Sequence, residues 1–165
     1  MKVLTGILVA ALLLGGVGTG HAAVRIADDP GGRIRVYVDK YQHLRDSGEF
    51  VIIDGLCAGA CTMVLGAIPR DKVCLTSNAK FGFQAVLDFD ARGQTMEATQ
   101  IIFSMYPSQI KRWITQQGGL TSHMIVLPGK QLLARYRSCS IADHASDSRH
   151  LTPKHQSPGG GLALG

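Results

Sequence analysis

The stretch that most constrains this chain is Asp54-Gly-Leu-Cys-Ala-Gly-Ala-Cys-Thr62, read together with Asp29-Pro-Gly-Gly32 upstream. Each is a small-residue turn that follows an apolar strand and opens a helix. Glycine and alanine leave the backbone accessible, so N–H groups in such turns can approach a ligand closely. The first N–H groups of a helix lack intrahelical partners and sit at its positive dipole end. Two turns of this kind facing one another would form a cradle for an oxyanion or a carboxylate. Two ordinary strand-to-helix turns give the same spacing.

The order of elements around the turns argues for a parallel α/β sheet. Val24–Ala27 is a strand, and Ile34, Tyr37, Val38, Tyr41 and Leu44 then recur at helical spacing until Ser47-Gly48. Phe50-Val-Ile-Ile53 is the continuous apolar run of a buried strand, and Ala60–Ala67 is an apolar helix ended by Pro69. Lys72–Thr76 and Lys80–Val86 read as further strands, and strand–helix alternation implies right-handed crossovers. Asp88–Gln94 reads as a polar loop. Thr95 caps a helix from Met96 to Met105, and Pro107 begins another from Ser108 to Gln117. Met124–Leu127 is a short strand and Lys130–Tyr136 a last short helix.

The two ends of the chain read differently. Met1–Ala22 has Lys2 at its start, an apolar run from Val3 to Val17, and small residues Gly20 and Ala22 at a cleavage-like site. That run is shorter than the roughly 20 apolar residues of a membrane-spanning helix, so it reads as a signal peptide and predicts an exported, periplasmic or secreted protein. Membrane contact is expected only through that segment. From Ser140 to Gly165, Ser, His, Asp, Pro and Gly dominate without a periodic apolar face, and disorder is predicted. His144, His150 and His155 read there as solvated side chains rather than a metal tract, and no metal or cofactor is expected. Residues 23–139 then form one domain.

Four cysteines, Cys57, Cys61, Cys74 and Cys139, suit two disulfides in an oxidising compartment, with three pairings open. The net charge of +5 is mild, but no acidic residue falls between Glu97 and Asp143, where Lys111, Arg112, Lys130, Arg135 and Arg137 lie. That half suits an acidic partner or a solvated basic face. Few aromatics interleave with the cations, which argues against nucleic-acid binding.

Three motifs in register resemble the Clp protease proteolytic subunit and its crotonase-fold relatives. Asp29-Pro-Gly-Gly32 is similar to that family's Ser-Pro-Gly-Gly element, Gly55–Thr62 to its Gly-x-Ala-Ala-Ser-Met turn, and Asn78-Ala-Lys-Phe-Gly-Phe-Gln84 to its Asn-Ala-x-Phe-Met-Ile-His strand. The resemblance covers about Val24 to Cys139 and implies a superhelix of ββα units with a mostly parallel sheet, assembled into rings or trimers. It places the family's serine at Gly59, its histidine at Gln84 and its aspartate near Met124. A serine nucleophile needs a hydroxyl, a base and a group that orients the base. Glycine, glutamine and methionine supply none of these. The family's backbone oxyanion donors fall at Gly31 or Gly32 and at Ala60, so the resemblance implies an inactive homologue acting by binding a protein or peptide partner, or by self-assembly. The alternative is a serine or cysteine hydrolase with a relocated nucleophile, drawn from Cys57, Cys61, Thr62, Ser77 or Ser122, with His43 or His123 as base.

Overall fold

A computed structural model describes residues 22–88, 93–94, 96–140 and 143. Residues 1–21 (all but the last residue of the expected signal peptide), Thr95 and nearly all of the C-terminal tail, including its three histidines, lie outside the described residues.

The architecture is α/β. In chain order the elements are β1 (Ala23–Asp29), α1 (Ile34–Ser47), β2 (Phe50–Ala58), a 3-10 helix (Gly59–Met63) and α2 (Val64–Ala67). A 3-10 turn (Arg70–Lys72), β3 (Val73–Leu75), β4 (Lys80–Phe83) and a small hairpin of β5 (Leu87–Asp88) with β6 (Gly93–Gln94) follow. The chain continues through α3 (Met96–Met105), α4 (Ser108–Gln116), β7 (Ile125–Pro128), a 3-10 turn (Gly129–Leu132) and β8 (Arg137–Ser138). The main sheet is mixed: β1, β3 and β4 run parallel to β2, β8 runs parallel to β3, and β7 pairs antiparallel with β4.

Strand β2 organises the sheet because both its edges are used and one is shared. β1 follows it from Phe50 to Cys57 on one side. On the other, β3 pairs with Val51–Ile53 and β4 with Leu56–Ala58. Side chains alternate accordingly. Val51 and Ile53 enter the main core with Tyr37, Tyr41, Phe81, Phe83, Ile110 and Ile114, whereas Ile52 joins Ala23 and Cys74 in a second cluster.

Where β3 gives way to β4, Asp54 receives hydrogen bonds from the Thr76 hydroxyl at 2.6 Å and the Asn78 amide at 3.2 Å, and pairs with Arg25. The Thr76 hydroxyl, with Arg25 and Asn78, holds the Asp54 carboxyl below its ordinary value against the opposing effect of burial. A depressed folded-state value means the stabilisation is present above the ordinary 3.8 and fades as pH falls through the folded value. Asp54→Asn is therefore expected to lower stability at pH 6 and to shrink the further loss on going to pH 3, as read by urea midpoints. An unchanged acid-side loss would show that Asp54 does not carry this dependence.

Several boundaries differ from the sequence reading. β2 runs on to Ala58, so the second turn starts at Gly59 rather than Gly55. β4 stops at Phe83, and the ends of the predicted polar loop Asp88–Gln94 are paired in the β5–β6 hairpin, Asp88 with Gly93 and Gln94 with Leu87. The expected helix Lys130–Tyr136 is a 3-10 turn followed by a tight turn. There Arg135 and Tyr136 both donate to the Leu132 carbonyl, and the chain then enters β8.

Candidate functional site

The two turns meet at the carboxyl ends of β1 and β2. Gly31 has φ +90, and a Cβ built on it would lie 2.6 Å from the Ala58 oxygen, 3.0 Å from the Ala60 nitrogen and 3.2 Å from Gly59 Cα. Only glycine permits this approach. Gly59, at φ +52, faces the Pro30 carbonyl in return.

The backbone donors are not equivalent. Gly31 N–H donates to Asp29 Oδ1 at 2.9 Å, the short turn an aspartate forms with the residue two positions on. Ala60 is 4% exposed and lies against Gly31, whereas Gly32 is exposed. Asp29 is itself held: it accepts from the Tyr37 hydroxyl, and Lys40 Nζ lies 3.6 Å from Oδ2. Burial and the adjacent Asp29 carboxylate push the Tyr37 hydroxyl well above its ordinary range.

Beneath the turns the chain is clasped. Cys57 and Cys61, both fully buried, form a disulfide that brackets Gly59, with their Cα atoms 5.3 Å apart. Tyr41 donates to the Cys61 carbonyl at 2.6 Å. Thr62 donates to the Gly59 carbonyl at 2.6 Å, which commits its proton, so the Tyr106 hydroxyl at 2.6 Å is the donor to Thr62. Burial pushes Tyr106 up to about 12, opposed by its bond to Thr62. Tyr106→Phe is expected to destabilise by about 1 kcal/mol, the usual worth of one neutral hydrogen bond. A chemical-denaturation midpoint equal to that of the parent would remove Tyr106 from this network.

Gly59, Gln84 and Met124 are brought to one end of the sheet. Ala58 pairs with Gly82, and Met124 covers Gly82 so closely that a Cβ there would meet Met124 Sδ at 2.6 Å. Phe83 pairs with Ile125, so Gln84, one residue beyond, falls opposite Met124. Gly59 has no side chain, and neither the Gln84 amide nor the Met124 thioether accepts a proton near neutral pH.

The relocated nucleophiles fare differently. Cys57 pairs with Cys61 and Cys74 with Cys139, leaving no free cysteine among the described residues. The Thr62 hydroxyl is fully buried and engaged on both sides. Ser77, Ser122, His43 and His123 are exposed. Trp113 is half-buried with its ring 5.8 Å from Phe83, packed against the core. Among the described residues no group of three His, Cys, Asp or Glu side chains could hold a metal ion, and no helix is long and apolar enough to cross a membrane.

Two residues after Gln84, Val86 N–H donates to Thr99 Oγ1 at 2.9 Å. Thr99 also lines an open, largely apolar cavity of about 430 Å³, together with Met96, Phe103, Thr115 and Leu120.

Sequence reading missed the contacts of the Asp29 carboxylate with Gly31, Tyr37 and Lys40, and the pairing of Thr62 with Tyr106. The Asp-Pro-Gly order is a signal for the Asp29 turn. Nothing local pairs Thr62 with Tyr106, which lie 44 residues apart. No protein-family model matches the chain, and no curated protein matches it.

Proposed function

We propose that this chain is an exported, Clp-protease-like protein of the crotonase fold that has no acyl-transfer activity and acts by binding a protein or peptide, or by self-assembly. The observation that carries the reading is the contact of Gly31 with Ala58–Ala60 beside Gly59, Gln84 and Met124. It offers shaped backbone without nucleophile or base. Electrostatic stabilisation by backbone donors can persist where a nucleophile is missing, because those donors are set by turn geometry. Gly32 is the exposed donor in this reading. Two intrachain disulfides suit the oxidising compartment that export would provide.

A fluorophosphonate probe tests the reading directly. No labelling above a heat-denatured control is expected, and no turnover of general peptide or ester substrates. Labelling that persists above background and maps to Ser77 or Ser122 would establish the hydrolase alternative instead. Gly59→Ser with Gln84→His is expected to give at most feeble ester cleavage, since no acid orients the new histidine.

A further inference from the structure

Asp29 closes β1 at the mouth of the cradle, and both its carboxylate oxygens are engaged. Oδ1 accepts from the Gly31 N–H at 2.9 Å and from the Tyr37 hydroxyl, while Lys40 Nζ lies 3.6 Å from Oδ2. The side chain is only 17% exposed. Gly31 cannot turn its N–H elsewhere, because the Ala58 oxygen, the Ala60 nitrogen and the Gly59 α-carbon crowd the side where its Cβ would stand. A backbone N–H donates well to one oxygen along its axis, so Asp29 Oδ1 stands where a bound oxyanion would have to stand. Of the other donors, Ala60 is buried and Gly32 is exposed. Asp28 and Arg33, both exposed, flank the turn with opposite charges, so neither sign prevails at its rim.

We infer that Asp29 determines the specificity of the cradle: its carboxylate is the built-in occupant of the Gly31 N–H and denies the site to carboxylates and other oxyanions, including acidic side chains of a partner. The inference rests on the cradle reading proposed above and adds what that cradle refuses. A carboxylate on an N–H makes a charge-assisted bond, stronger than the bond a neutral oxygen makes there. Asp29 is tethered two residues from the donor, so it rebinds without the loss of translational freedom that a dissolved anion bears. An incoming anion would also stand beside the Asp29 charge in a partly dry site, where repulsion is stronger than in bulk water. The single cation at hand, Lys40, is already shared with Asp29. The Tyr37 hydroxyl holds the carboxylate in place from the first turns of α1.

Amide NMR spectra of the purified chain, titrated with acetate at constant pH and ionic strength, test it. In the parent the Gly31 amide is expected to hold its position as acetate is added. Asp29→Ala removes the occupant, and its Gly31 amide should shift saturably, with an acetate affinity about tenfold above the parent's. Asp29→Asn keeps an oxygen in front of Gly31 but not the charge, and should gain affinity in the same direction by less. Circular dichroism matching the parent qualifies each variant, and the milder Asn substitution keeps the test open if the Ala variant fails to fold. A Gly31 shift in the parent as tight as in the variants would overturn the inference while leaving an anion-binding cradle in place. No saturable shift in the parent or in any folded variant would also overturn it, and would count against the cradle itself.

Discussion

Gly55→Ala is expected to destabilise the chain by about 3 kcal/mol or more, because its new methyl has nowhere to go. A Cβ at Gly55 would lie 1.5 Å from the Ala27 carbonyl oxygen and 2.6 Å from its carbon. Those are backbone atoms, which no rotamer change can move aside. The cause is the register shift between β1 and β2: Ile26 pairs with Ile53, but Asp28 already pairs with Leu56. β2 therefore carries an extra residue here, and such a bulge bends its strand and crowds the partner. Gly48→Ala makes the control. It caps α1 at φ +69 with nothing within 4 Å, so its cost is confined to backbone strain of about 1 kcal/mol. Urea midpoints of the two variants should separate clearly. A loss at Gly55 no greater than at Gly48 would contradict the register around the bulge.

Opening the Cys74–Cys139 disulfide should cost about 4 kcal/mol, against about 2 kcal/mol for Cys57–Cys61. The bonds close chain segments of very different length, with sequence separations of 65 and 4. In the chain-entropy account, stabilisation grows with the logarithm of the loop that the link removes from the unfolded ensemble. Cys74→Ala with Cys139→Ala should lower the thermal midpoint on the order of 15 °C, and Cys57→Ala with Cys61→Ala by about half that. The long link also joins β3 to the residue after β8, where only two residue pairs hold the strands together. Its loss should free β8 first, seen as faster amide exchange at Arg137 and Ser138. A larger drop for the Cys57–Cys61 pair would mean that native packing around the turn outweighs loop closure.

The elements with strong local signals were legible in the sequence. α1 begins at Ile34 and stops at Gly48, as its apolar spacing and glycine stop indicate. α3 spans Met96–Met105 as read. Elements whose state depends on distant partners were not legible. β2 passes through Asp54 and Gly55, which read locally as a turn, because β1, β3 and β4 supply its hydrogen bonds. Lys130–Tyr136 reads as a short helix, but the Tyr136 hydroxyl donates to the Leu65 carbonyl 71 residues away, and that tertiary bond holds the turn. At the candidate site the positions Gly31, Gly59 and Ala60 could be named from sequence. The Asp29 carboxylate that engages Gly31 could have been found from its Asp-Pro-Gly order. The buried pair Thr62–Tyr106 exists only once α3 has packed on the turn.

The ring closed by Cys57 and Cys61 encloses only three residues, Ala58, Gly59 and Ala60. A backbone tethered so tightly has few shapes to choose among, so a guest arriving there would find the loop already in its docking posture. Its association would then forgo the ordering that a slack loop demands. Under the binding role proposed above, reducing the Cys57–Cys61 bond is therefore expected to loosen the loop and weaken binding.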